Sequence, residues 1–235
     1  MLENFSFTSY VIDTDIKVLL KEELTKYNKI LVISGEKSLK AFEKKLNYIL
    51  ENKLYSYKYY GGECSHSNVK KILDEISQES FDLVLGVGGG KAIDTGKLIA
   101  HKLNIPIITV PTIASTCAST SALSVVYNDD GSFLEFVEFG FPPLKVFIDL
   151  ETLKAAPVRY IWAGMGDTLA KFYEVDLKYR YRIKNNISIS YPNRLGKECS
   201  ILCRELILKH AEQALFSKKI DDSFKKVVLA IIVNT

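Results

Sequence analysis

The sequence predicts an α/β half followed by an all-helical half, and three features carry that expectation. Short apolar runs alternate with amphipathic helical stretches through the first 150 residues. A glycine-rich turn at residues 86–90 joins one apolar run to a helical stretch. Beyond Thr152 the strand signals stop and helical periodicity takes over. Alternation of the first kind builds a mostly parallel, Rossmann-like sheet with helices on both faces.

Taken in order, Lys29 to Ser34 (KILVIS) reads as a buried strand, and Ser38 to Leu50 follows with helical spacing. Leu54 to Tyr60 alternates like a half-buried strand. Ser67 is placed to cap a helix that carries Val69, Ile72, Leu73 and Ile76 on one face. Phe81 to Val87 is a strand running into the glycines, with a helix from about Lys91 to Leu103 and another buried strand from Ile105 to Val110. The pattern then changes to an inserted β-hairpin, Ser124 to Tyr127 and Phe133 to Val137, around the turn Asn128-Asp129-Asp130-Gly131. One more strand, Lys145 to Asp149, closes the α/β part. Helices are expected at roughly Ile161 to Arg182, Leu195 to Phe216 and from Asp221 onward. The domain boundary falls near residue 150, giving an α/β domain at 1–150 and a helical portion at 151–235. The final VVLAIIVNT is apolar and ends without a glycine cap or a basic last turn. It needs packing partners that so short a helical half offers sparingly, so we expect the chain to be cut inside a larger helical domain.

Composition narrows the function classes. The 31 basic and 28 acidic residues leave a formal charge of +3, too small and dispersed for a nucleic-acid partner. The Tyr-rich basic stretch KYRYRIK (Lys178 to Lys184) is read as a solvated helix end with snorkelling side chains. Four cysteines (Cys64, Cys117, Cys199, Cys203) form no CxxC pair, which points to a reducing, cytoplasmic setting. No basic region and apolar core open the chain as in a signal peptide, and no stretch reaches the ~20 apolar residues of a membrane span.

Glycines at 86, 88, 89 and 90 let the backbone approach a ligand closely, and the helix behind them turns its positive dipole end into the loop. That arrangement suits a pyrophosphate. The spacing is neither GxGxxG nor GxxxxGK[ST], because Lys91 follows the glycines directly and Ala92 follows Lys91. A tight turn with no ligand is the alternative reading of the glycines taken alone. After the strand IPIITV comes PTIASTCASTSALS, whose hydroxyls stand at the carboxyl end of a strand, where open α/β sheets bind ligands. A loop whose hydroxyls merely cap the next element is the simpler reading.

Three segments, GVGGGKAIDTGKLIA, VPTIASTCASTSALSVVYNDDG and AGMGDTLAKFYE, occur in this order at suitable separations. Together with GGECS at residues 61–65 they resemble the iron- or zinc-dependent alcohol dehydrogenases, most closely the glycerol dehydrogenase branch. The resemblance covers nearly the whole chain. It implies the dehydroquinate-synthase-like, iron-alcohol-dehydrogenase fold and an NAD or NADP cofactor. Gly88, Gly89, Gly90, Lys91 and Asp94 match the family's pyrophosphate-binding segment, and Thr112, Ser115, Ser121, Leu123 and Tyr127 match positions lining the nicotinamide side. Asp94 also reads as a first-turn acid satisfying the helix dipole, and Leu123 and Tyr127 as hairpin core. Asp167, in Gly164-Met165-Gly166-Asp167, matches the first ligand of a catalytic divalent metal (zinc or iron), or is simply paired with Lys171 at i,i+4. Two further histidine ligands of the family lie beyond the matching region. His66, His101 and His210 lack ligand spacing and read as surface or packing residues.

Two departures bear on specificity. Cys117 stands where glycerol dehydrogenases usually carry an aspartate that contacts the polyol, and a thiol is a weak hydrogen-bond partner. Gly35 occupies the place where NAD-preferring relatives often have an acid, so with Lys37 nearby NADP is expected to be tolerated. Cys199 and Cys203 share a helix face and are expected in a packed seam. The function implied is reversible hydride transfer between a small alcohol or polyol and a nicotinamide ring, with the metal as Lewis acid, in a homo-oligomer. An sn-glycerol-1-phosphate dehydrogenase, a dehydroquinate-synthase-like lyase and a catalytically incomplete nucleotide-binding module are the competing readings.

Overall fold

The computed structural model describes residues 8–234. Strand β1 (Ser9–Asp13) leads into helix α1 (Lys17–Glu23) and a short 3-10 turn. Strict alternation follows: β2 (Lys29–Ser34), α2 (Glu36–Ile49), β3 (Leu54–Tyr59), α3 (His66–Glu75), β4 (Leu83–Gly88), α4 (Gly90–Leu103) and β5 (Ile107–Pro111). The antiparallel hairpin β6 (Leu123–Tyr127) and β7 (Phe133–Glu138) precedes β8 (Lys145–Asp149) and α5 (Leu150–Ala155). Six strands form one parallel sheet in the order β1-β8-β5-β4-β2-β3, so the predicted fold class holds.

Alternation along each strand sets the two faces of that sheet. In β2, Ile30 and Val32 turn to one side, where they meet Leu85, Phe147 and the apolar faces of α1 and α2 (Leu20, Phe42, Leu46). Leu31 and Ile33 turn to the other, where Val69 and Ile72 of α3 and Leu98 and Ile99 of α4 cover them. All of these side chains are buried. At about 1.5–3 kcal/mol for each large apolar side chain removed from water, the two layers dominate the stability of the unit. Cys64 belongs to the second layer, and burial pushes its thiol up to about 12, so it is a core residue with no thiolate character at neutral pH.

Three details depart from the sequence reading. Strand β1 and helices α1 and α5 were not read from the sequence, although Ile16, Leu20 and Leu24, spaced by four and fully buried, give α1 an apolar face. The N-cap of α3 is Ser65 and not Ser67: the Ser65 hydroxyl accepts from the Asn68 N–H, while the Ser67 hydroxyl donates to Asp129 in the hairpin turn. The α/β unit comprises residues 8–113 and 118–156, and it extends past 150 because α5 is held by Asp149.

A second unit contains residues 114–117 and 157–234. Its helices are α6 (Val158–Lys184), α7 (Tyr191–Phe216) and α8 (Asp222–Ile232). Asp221 caps α8 by accepting from the Phe224 N–H at 2.9 Å. The apolar run of α8 finds its partners on α6 and α7: Phe224, Val227, Val228, Ile231 and Ile232 are all buried. Cys203 sits in the α7–α8 seam, its Sγ 3.5 Å from the Ala230 carbonyl, as expected. Gly164 lets α6 lie against the segment 114–117, since a Cβ there would come within 2.3 Å of the Ala114 carbonyl oxygen. Among the described residues, no helix is long and apolar enough to cross a membrane.

Candidate nucleotide-binding site

Strand β4 is buried from end to end and delivers Gly86, Val87 and Gly88 to the carboxyl edge of the sheet. Gly89 is the N-cap of α4, with no side chain of its own to satisfy the first turn of a 14-residue helix. The turn is close-fitting as well as bare. A Cβ on Gly88 would lie 2.8 Å from the Cβ of Ala92, and one on Gly89 would lie 2.7 Å from Cδ1 of Ile113. The Thr112 N–H donates to the Gly88 carbonyl at 3.0 Å, tying the glycine turn to the chain that leaves β5. A bare glycine turn at a helix N-terminus is the geometry that accepts a pyrophosphate.

Lys91 is exposed at the start of α4. Its ammonium is 2.6 Å from a carboxylate oxygen of Glu63 and 5.2 Å from the centre of the Tyr127 ring. Glu63, inside the GGECS segment, is a partner that the sequence reading did not single out.

The neighbouring strand supplies a second missed residue. At the carboxyl end of β2 the Gly35 N–H donates to the Ser38 hydroxyl at 3.0 Å, and this begins α2. The first residue of that helix is Glu36, exposed, one position beyond the glycine on which the sequence reading focused. In dinucleotide-binding sheets an acid at the end of the strand beside the glycine turn bonds the ribose hydroxyls.

Asp94 occupies a different position from the one expected. Helix α4 begins at Gly90, so Asp94 falls outside its first turn and does not face the dipole end. It is 5% exposed, and Lys97 Nζ lies 2.7 Å from its Oδ1. Its Oδ2 accepts from the Val125 N–H at 3.3 Å, and its main-chain carbonyl accepts from the Ser124 hydroxyl at 3.0 Å. Burial pushes the Asp94 carboxyl up, against the pull of the Lys97 ammonium. Asp94 therefore braces the start of β6. Ser121 and Leu123 bond the same ammonium, Thr112 is buried behind the turn, and Tyr127 is half-buried.

Ser115, Cys117 and Asp167 belong to the helical unit. Asp167 is partly exposed, with Lys171 at 3.6 Å one turn on. Among the described residues no group of three or more His, Cys, Asp or Glu side chains is placed to hold a metal ion. The histidines are engaged elsewhere: His66 with Glu135 at 2.7 Å, His101 against the Phe139 ring, and His210 with Ser223 at 3.0 Å. In the KYRYRIK stretch Arg180 pairs with Asp176 on its own helix and Arg182 donates to the Ser188 carbonyl, as a solvated helix end does.

A parallel sheet with a glycine turn at its carboxyl edge, an inserted hairpin and a following helical unit defines the iron-alcohol-dehydrogenase, dehydroquinate-synthase-like class of fold. Residues 8–149 match the family described as iron-containing alcohol dehydrogenase. A glycerol dehydrogenase from Thermotoga maritima is 36% identical over 178 residues, 73% of this chain and 47% of that protein. The hydroxycarboxylate dehydrogenase A of Escherichia coli is 38% identical over 178 residues, 74% of this chain and 48% of its own length. The crystal structure of glycerol dehydrogenase from Schizosaccharomyces pombe superposes with a TM-score of 0.83 at 27% identity, covering 97% of this chain and 60% of that one. The chain thus spans about half the length of the curated relatives it matches. It belongs to the iron-containing alcohol dehydrogenase family.

Proposed function

We propose that this chain carries the nicotinamide-nucleotide site of a dehydrogenase acting on a small alcohol or polyol. The observation that carries the reading is the close-fitting glycine turn between β4 and α4, with Lys91 at its exit and Glu36 at the end of the adjoining strand. The turn would take the pyrophosphate on backbone N–H groups, and Lys91 would add positive charge beside it. The bound cofactor would supply the hydride acceptor; the chain's own residues bind it, orient it and shield it. Ser121, Leu123 and Tyr127 are assigned to the nicotinamide side, with Thr112 behind them. Asp94 is reassigned from contact to support, on its burial against Lys97.

Glu36 favours NAD over NADP, because its carboxylate accepts from a ribose 2′-OH and repels a 2′-phosphate. That places the acid one residue beyond Gly35 and shifts the expected balance away from NADP. Glu36→Gln is expected to reduce the NADH-over-NADPH affinity ratio by about tenfold, roughly one lost charge-assisted hydrogen bond. Titration of both nucleotides into the parent and the variant checks this; an unchanged ratio would remove Glu36 from the site.

On the helical side we assign Asp167 as one donor to a divalent metal, zinc or iron, on its match to the family motif. The described residues offer Asp167 no companions for such a centre, so by themselves they do not make a metal site. Cys117, in the position of a polyol-contacting aspartate, favours a substrate recognised less through hydroxyl hydrogen bonds than glycerol is.

A further inference from the structure

The segment 118–123, which carries Ser121 and Leu123, is fastened through its own carbonyl groups. Ala118 accepts from the Lys97 ammonium at 2.8 Å, Ser119 from the Thr109 hydroxyl at 2.8 Å, and Thr120 from the Thr8 hydroxyl at 2.9 Å. Ser121 accepts from Lys97 at 3.3 Å, Ala122 from the Phe139 N–H at 2.8 Å, and Leu123 from Lys97 again. Six consecutive carbonyls thus lie within hydrogen-bond distance of protein donors, and one lysine stands beside three of them, with the Ser121 carbonyl the most distant. The same ammonium lies 3.2 Å from the Ser121 hydroxyl and 2.7 Å from Asp94 Oδ1.

An ammonium has three protons, and its three closest oxygens here are those of Leu123, Ala118 and Asp94. Lys97 is 3% exposed, so it has no surface from which to touch a cofactor. A solvated i,i+3 Asp–Lys pair on a helix surface would contribute little. A buried one surrounded by loop carbonyls is different, because removing the cation takes the charged donor from three carbonyls and a carboxylate and leaves only longer contacts, such as those of the Ser121 hydroxyl with Ala118 at 3.4 Å and Leu123 at 3.3 Å.

We propose that Lys97 is a positioning residue whose ammonium is a tethered cation, organising the hydroxyl-rich segment that presents Ser121 and Leu123 to the cofactor. The assignment of those two residues rests on the nucleotide-binding reading; the ordering of the segment does not. Asp94 sets the cation in place and extends the brace to Ser124 and Val125 at the head of β6.

The test uses Lys97→Ala and Lys97→Met in the full chain, with ethylammonium supplied to the alanine variant to refill the vacated ammonium position. Amide hydrogen exchange reads the order of the segment without any nucleotide, and NADH titration reads the site. Exchange over residues 118–125 is expected to rise about tenfold or more in both variants, while β4 and β5 keep their protection. Ethylammonium is expected to restore protection and NADH affinity saturably in Lys97→Ala, whereas ethanol at the same concentration restores neither. Lys97→Met keeps the aliphatic stem, so it carries the comparison if the alanine variant does not fold. Unchanged exchange over 118–125 in a folded variant would overturn the proposal, as would a loss that ethylammonium leaves untouched. If the parent shows no NADH binding while exchange responds as described, the nucleotide reading fails and the tethered cation stands.

Discussion

Replacing Asp149 with alanine is expected to lower the stability of the α/β unit by about 3 kcal/mol. The residue ends β8 and is fully buried. One carboxylate oxygen accepts from the Thr152 N–H at 2.8 Å and the Thr152 hydroxyl at 2.7 Å, capping α5. The other accepts from the Ile16 N–H at 3.1 Å, at the entrance to α1, and from Lys45 of α2 at 2.7 Å. One side chain therefore joins the starts of α1 and α5 and the side of α2 to the sheet. Loss of the α5 cap alone is worth about 1 kcal/mol, and the Ile16 N–H would be left buried without its acceptor. Lys45 keeps Glu151 at 2.9 Å and Asp15 at 3.4 Å, which holds the total below the upper range for a broken buried pair. Trp162, the single tryptophan, lies on α6 in the helical unit, so its fluorescence does not report on the α/β unit directly. Denaturant unfolding followed by far-UV circular dichroism and by exchange of sheet amides does. A loss under about 1 kcal/mol would show that the connections through Asp149 are redundant.

The second large effect falls on the site. Gly88→Ala is expected to weaken NADH binding about 10- to 100-fold, the equivalent of the 1–3 kcal/mol that a misplaced methyl costs in a packed position. The new Cβ would meet the Cβ of Ala92 at 2.8 Å, an atom fixed to the helix backbone and unable to rotate away. Relief requires β4 and the first turn of α4 to separate, and that separation reshapes the turn that would hold the pyrophosphate. Gly140→Ala is the control, since nothing lies within 4 Å of its added Cβ. Calorimetric titration measures both. Equal affinity of Gly88→Ala and the parent for NADH would place the nucleotide away from the glycine turn.

What the sequence disclosed follows from what periodicity can carry. Strands β2, β4, β5 and β8 are buried on both sides, so they read as short continuous apolar runs between helical stretches. The hairpin announced itself through Asp130-Gly131, where Gly131 takes φ +83°. Strand β1 was hidden because it is a sheet edge with half-exposed residues, and its pairing with β8 spans the length of the α/β unit. The α3 cap was misplaced because two serines stand two positions apart, and only the tertiary partner of Ser67, Asp129, decides between them.

The site divides in the same way. Its glycines were visible because the residue type itself is the signal. Glu36 was passed over because the acid follows the expected position by one residue. Asp94 read as a residue of the pyrophosphate-binding segment or a first-turn acid, and Lys97 was not singled out, because the carbonyls that make the lysine a structural cation come from a segment more than 20 residues away. Side-chain identity gives the donors in such cases; only the fold gives their burial.

The most direct test of the nucleotide site is calorimetric titration of the protein with NADH and, separately, with NADPH. Saturable binding of one NADH per chain, tighter than that of NADPH and weakened by Gly88→Ala, is the expected result. Absence of saturable binding of either nucleotide to the folded protein would contradict it.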